Sequence, residues 1–119
     1  MRILVCEDNK LALKTVTVVL VKEGFGVDTA ENGNDAINLL DENVYDLLIV
    51  DIHLPFHSGL EIVKHLRTTL RQKTPVIILT AFSDQQMQKQ AGELGIEGYI
   101  VKPFNPRDLV QKIKAVLKN

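Results

Sequence analysis

Cysteine is nearly absent from this sequence: Cys6 stands alone among 119 residues. An internal disulfide is therefore excluded, and a lone thiol fits a reducing cytosol. Neither sign of charge dominates, with 14 lysines and arginines against 15 aspartates and glutamates, for a formal net charge of −1. A free-standing nucleic-acid binder shows a basic footprint, and no dense basic cluster occurs here. Direct nucleic-acid binding by this chain is therefore not expected. Long hydrophobic runs are missing as well: no stretch approaches the ~18 apolar residues of a membrane-spanning helix. Arg2 is followed by a short apolar run that ends in Glu7 and Asp8, which does not read as a signal peptide. The expectation is a cytoplasmic protein that does not engage a membrane. Repeats, linkers and low-complexity segments are also lacking, so residues 1–119 read as a single domain, able to bury roughly two thirds of its surface.

Three runs are apolar without alternation: Ile3-Leu4-Val5-Cys6, Leu47-Leu48-Ile49-Val50 and Val76-Ile77-Ile78-Leu79. Such runs suit strands covered on both faces, as in a parallel sheet flanked by helices. Gly26–Ala30 and Gly98–Lys102 are more mixed and read as edge strands. Between them lie helix starts. Ser58-x-x-Glu61 and Ser83-x-x-Gln86 fit a capping box, Asn32 with Asp35 would open another helix, and Asn105-Pro106 sets a cap before a proline at the first helical position. Leu109, Ile113 and Val116 or Leu117 recur at helical spacing opposite Lys112 and Lys118, which read as a solvated face. Thr15–Val21 has the composition of a strand. It lies between two strand candidates about 20 residues apart, however, and a parallel crossover of that length is usually helical. The expected architecture is an α/β, flavodoxin-like (βα)₅ fold: a doubly wound five-stranded parallel sheet in the order 2-1-3-4-5.

In such sheets ligands bind beyond the carboxyl ends of the strands. Glu7 and Asp8 follow the first strand, Asp51 the third, Thr80 the fourth and Lys102 the fifth. Each has an ordinary explanation when taken alone. Asp8 or Asn9 could cap a helix, Thr80 could close a strand, Lys102 could be solvated, and Asp51 could be a loop cap or a site. Together they put three mutually repelling carboxylates beside a hydroxyl and an ammonium, an arrangement that calls for a divalent cation. Oxygen ligands from a few carboxylates, with other positions left to water, suit Mg²⁺. A phosphoryl group could then be met by the metal, Lys102 and Thr80, with Asp51 as nucleophile and an aspartyl phosphate as product.

These residues, with "DIHLPFHSG" at 51–59, "LTAF" at 79–82 and "VKPF" at 101–104, make the whole chain resemble the receiver domain of two-component response regulators. The resemblance implies that Asp51 is the phosphoacceptor, with Mg²⁺ held by Glu7, Asp8, Asp51 and the backbone carbonyl of His53. It implies that Thr80 is a switch hydroxyl, Tyr99 a switch aromatic and Lys102 the phosphate-binding lysine. Pro103 matches a proline that follows a cis bond, and Ala81 a small residue that leaves the donor access. His53 and Phe82 hold the positions that border the path of hydrolytic water and so tune signal lifetime. Such a domain is a signalling phosphoacceptor rather than an enzyme acting on other molecules; it catalyses only its own phosphorylation and dephosphorylation. The implied partners are a sensor histidine kinase or phosphotransfer protein. An effector domain or partner protein would be reached through the fourth helix, fifth strand and fifth helix, with a phosphorylation-dependent homodimer also open. In the subfamily fused to winged-helix domains an acidic pair precedes the switch aromatic; Glu97-Gly98 departs from it.

Two rival functions differ in what they require. A small Mg²⁺-dependent aspartyl-phosphate phosphatase typically carries a second acid two residues after the nucleophile, where this chain has His53. A flavodoxin-like binding module needs a phosphate cradle after the first strand, where Glu7 and Asp8 would repel one. Of the remaining residues, Cys6 reads as core and His65 as a helix-surface histidine. His53 and His57 are kept off one helical face by Pro55. Val16, Val18, Val19, Leu20 and Val21 are too many for one buried face, so Val18 or Val21 is expected to be exposed and to meet the phosphodonor's helix.

Overall fold

The computed structural model describes residues 1–81 and 85–118, apart from the side chain of Met87. Strands β1 (Arg2–Cys6), β2 (Gly26–Ala30), β3 (Leu47–Asp51), β4 (Val76–Thr80) and β5 (Gly98–Val101) alternate with helices α1 (Lys10–Lys22), α2 (Gly33–Glu42), α3 (Gly59–Lys64), α4 (Gln85–Glu93) and α5 (Pro106–Leu117). The strands form one parallel sheet in the order β2-β1-β3-β4-β5, as the apolar runs predict. Successive side chains on a strand point to opposite faces, so the non-alternating runs feed two cores at once. Leu4, Cys6, Leu48, Val50 and Ile78 join Ile62, Val63 and Leu66 on one side. Ile3, Val5, Leu47, Ile49, Ile77 and Leu79 join Val16, Leu20, Leu109 and Ile113 on the other.

Local chemistry fixes the helices. Asn9, Asn32, Ser58 and Asn105 each cap a helix by accepting from a backbone N–H two or three residues on. The strand-like run 15–21 is helical. Thr15 and Thr17 return their hydroxyls to the carbonyls of Leu11 and Leu13, which quiets two β-branched residues inside α1. Val16 and Leu20 turn inward, while Val18 and Val21 are both exposed. The Ser83 cap and Phe82 lie outside the described residues.

Three features lay beyond what the sequence revealed. α3 runs on as a π-helical segment, His65–Thr69, closed by Leu70 N–H donating to the His65 carbonyl at 3.0 Å. The segment aims Arg67 at the α4–β5 connection, where it donates to the carbonyls of Leu94 (2.8 Å) and Gly95 (3.1 Å), and also to that of Gln72 (3.0 Å). His65 is more than a surface histidine, because its Nε2 meets Asp41 of α2 at 2.7 Å. The basic face of α5 is solvated as expected, with Lys112 and Lys118 both exposed.

Candidate functional site

Because all five strands are parallel, their carboxyl ends share one edge. Three hydrogen bonds carry the ladder one residue past the strands: Glu7 N–H to Ala30 O (3.0 Å), Ile52 N–H to Leu79 O (3.0 Å) and Lys102 N–H to Thr80 O (2.7 Å). The backbones of Glu7, Asp51 and Lys102 are thereby held at the rim. Glu7 and Thr80 are fully buried, Asp51 nearly so, and Asp8 is exposed. Carboxylate oxygens of Glu7, Asp8 and Asp51 all lie within 4.8 Å of one another. Lys102 Nζ reaches between them, donating to Asp51 Oδ2 at 2.5 Å and also to Glu7 Oε1. The second oxygen of each of these two carboxylates has an amide donor: Asn9 N–H to Glu7 Oε2 at 3.2 Å and His53 N–H to Asp51 Oδ1 at 2.8 Å.

The electrostatics are those of a crowded anionic pocket. Burial pushes the Glu7 carboxyl up to about 7, and neighbouring Asp51 adds to that push while Lys102 opposes it. Burial disfavours the Lys102 ammonium, yet its hydrogen bonds to Asp51 and Glu7 outweigh that and hold its pKa above the usual lysine value. Three hard carboxylate donors within reach of one another, one of them solvent-facing, are a donor set suited to a divalent cation.

Around this cluster, Ala81 is exposed and lines a cleft of about 470 Å³ with Asn9, Leu11, Thr15, Lys102 and Phe104. The Lys102–Pro103 peptide bond is cis. Tyr99 is half-buried on β5, and its hydroxyl donates to the Gln88 carbonyl of α4 at 3.0 Å. Two features of the loop between β3 and α3 were not found from sequence. Phe56 is exposed with φ at 73°, and Gly33 of α2 packs against His57. A glycine at the first position of a helix, where many residues would serve, was the available signal for the second.

Residues 3–114 match the model of the response regulator receiver domain. The chain belongs to that family. It is 40% identical over 118 residues to the phosphate regulon transcriptional regulatory protein PhoB of Escherichia coli, a match that covers 98% of this chain and 52% of that protein. It is 37% identical over 117 residues to the transcriptional regulatory protein ResD of Bacillus subtilis, covering 98% of this chain and 48% of that protein. The chain thus spans about half the length of the curated relatives it matches. Among solved structures, a CheY-like receiver domain protein from Methanospirillum hungatei superposes with a TM-score of 0.93 at 30% identity, covering 98% of this chain and 93% of that one. The BeF3-activated DrrB receiver domain gives 0.88 at 36% identity, covering 99% and 97%. The chain is therefore the receiver domain of a two-component response regulator, and domains of this kind work with histidine kinases and effector domains. Among the described residues no helix is long and apolar enough to cross a membrane.

Proposed function

We propose that Asp51 is the phosphoacceptor of this receiver, taking its phosphoryl group from a histidine kinase or phosphotransfer protein. The observation that carries the reading is the imbalance at the sheet edge, where three carboxylates cluster and a single lysine bridges two of them. Glu7, Asp8, Asp51 and the His53 carbonyl would hold Mg²⁺. When bound, the ion would neutralise the carboxylates and offer a coordination position to a phosphoryl oxygen. Asp51 then attacks phosphorus, the P–N bond of the donor phosphohistidine breaks, and the imidazole leaves with the bonding pair. Lys102, already beside Asp51, follows the incoming charge, and the Thr80 hydroxyl closes on another phosphoryl oxygen. Ala81 leaves the approach open, while His53 borders the path of hydrolytic water. The domain so acts only on its own phosphorylation state.

The new charge biases a pre-existing equilibrium. Thr80 moves toward the phosphoryl group and Tyr99 turns into the space it leaves, which changes the surface of α4, β5 and α5. An effector domain, a partner protein or a second phosphorylated copy would read that surface. Glu97 is exposed but already engaged within the chain, since its carboxylate accepts from Val76 N–H at 3.1 Å and faces Arg67 at 3.6 Å. The exposed Val18 and Val21 of α1 would meet the donor's helix. Histidine kinases transfer phosphate in the cytoplasm, and we place the protein there. The test is incubation with phosphoramidate. Wild type should gain an acid-stable, hydroxylamine-labile phosphoryl group that requires Mg²⁺, and Asp51→Asn should gain none. Labelling that survives either EDTA or Asp51→Asn overturns the assignment.

A further inference from the structure

We propose that Gly33, on a helix that contributes nothing to the acidic cluster, is a positioning residue for the loop that carries Asp51 and His53. This rests on the phosphoacceptor reading above. Gly33 is buried at the first position of α2, and its N–H donates to the Pro55 carbonyl at 2.9 Å. The same carbonyl accepts from His57 N–H at 2.9 Å, so one oxygen ties the loop both to itself and to α2. A Cβ on Gly33 would stand 2.5 Å from His57 Cβ, 2.7 Å from its backbone nitrogen and 2.8 Å from its backbone oxygen. None of those three atoms can be moved by a rotamer change, since Cβ is fixed by the backbone as N and O are. Gly33 does not have a positive φ, unlike Gly24 and Gly95. Its backbone conformation thus suits any residue, and glycine inside a helix is less stable than alanine. Close approach is the reason for glycine here.

The loop has little slack to absorb a push. At its start, His53 N–H is bonded to Asp51 Oδ1. At its end, Gly59 N–H donates to Ile52 O at 2.9 Å, and a Cβ on Gly59 would stand 2.5 Å from the Asp51 carbonyl oxygen. In the middle, Phe56 is already in the left-handed region at φ 73°, a strained conformation for a bulky residue. Displacement at His57 is therefore passed back along the loop to His53 and Asp51. Groups that orient metal ligands without touching the metal typically change affinity by about 10–100-fold when altered.

The experiment compares wild type with Gly33→Ala. Mg²⁺ titrations followed by NMR amide shifts give the affinity, and thermal unfolding in EDTA gives the stability of the fold alone. The expected result is a roughly tenfold weaker Mg²⁺ Kd with the EDTA melting temperature changed by only a few degrees. Phosphoramidate labelling should be slowed most at low Mg²⁺ and recover as Mg²⁺ is raised. A Kd within twofold of wild type, in a folded variant, overturns the role of Gly33. Linkage also requires the reciprocal effect in the unaltered protein, which covers a variant that fails to fold. Mg²⁺ should slow exchange of the Gly33 amide by more than that of the Asn43 amide at the far end of α2; equal slowing overturns the proposal. A wild type that shows no Mg²⁺ response at all would overturn the phosphoacceptor reading, and this inference with it.

Discussion

The two edges of the sheet each gather carboxylates around a cation, and they do it in opposite ways. At the amino ends of the strands, Arg2 donates to Asp28 at 2.6 Å and to Asn43 at 3.2 Å, its backbone N–H reaches Asp46 at 2.7 Å, and Tyr45 donates to the same Asp28 oxygen at 2.7 Å. The Arg2 and Asp28 side chains remain 50% and 30% exposed, so water shares the load. At the carboxyl ends, Lys102 faces Glu7 and Asp51, whose side chains are 0% and 8% exposed, with Asp8 alongside. The first edge is a staple with its charges dispersed among donors. The second keeps ionisable groups in conflict, an arrangement that stability alone would not favour. Acid count does not separate a site from a staple; burial and charge imbalance do.

The largest expected effect breaks this comparison outright. Asp51→Asn should abolish phosphoramidate labelling, while Asp28→Asn should leave it intact. Mg²⁺ at about a hundred times its Kd should raise the melting temperature of wild type by roughly 10 °C. Asp8→Asn should lose most of that rise, and Asp28→Asn should keep it. Calorimetric scans with and without Mg²⁺ settle the matter. An Asp28→Asn variant that loses the Mg²⁺ response would mean that the two edges are coupled and the distinction false.

The fold and the membership of the acidic cluster were legible for a physical reason. Non-alternating β-branched runs specify strands covered on both faces, parallel pairing follows from the crossover lengths, and parallel strands put their ends at one edge. Glu7, Asp51, Thr80 and Lys102 could then be placed together from position alone. The staple was not legible, because Arg2, Asp28, Asn43 and Tyr45 meet only once register is known, and none of them carries a signal of its own in the sequence. Arg67 escaped for a similar reason: no residue pattern announced the π-helical segment that aims it at Leu94 and Gly95. Gly33 escaped because close approach is a property of two segments, not one.

A smaller effect sharpens the contrast through pH. Burial lifts Glu7 from 4.5 to about 7 in the folded protein. Between those values the folded state holds a proton that the unfolded chain has released, so metal-free stability should fall as pH rises from about 4.5 to 7 and level off beyond. The contribution is at most ~3 kcal/mol. Urea unfolding in EDTA across this range should show the decline in wild type and a shallower one in Glu7→Gln. Saturating Mg²⁺, which needs the ionised carboxylate, should oppose the decline. Identical pH slopes in wild type and Glu7→Gln would remove Glu7 as the strained group of the cluster.

The smallest effect belongs to the staple. Arg2→Ala removes a half-exposed ion pair, worth about 0.2–1 kcal/mol, and a guanidinium 5.3 Å from the Tyr45 ring centroid, worth about 0.5–1 kcal/mol. A loss of about 1 kcal/mol, or roughly 4 °C, is expected. Tyr45→Phe should lose a similar amount by removing one donor to Asp28. The double variant should lose less than the sum, because both partners serve the same carboxylate. Neither change should alter the Mg²⁺ Kd or labelling. Arg2 and Glu7 lie five positions apart along extended backbone, roughly 16 Å at about 3.3 Å per residue. That exceeds the ~8 Å screening length of physiological salt. Mg²⁺ titrations of Arg2→Ala in low and physiological salt test the separation. A Kd shift of more than twofold at physiological salt would show that the staple reaches the site through the strand rather than through the field.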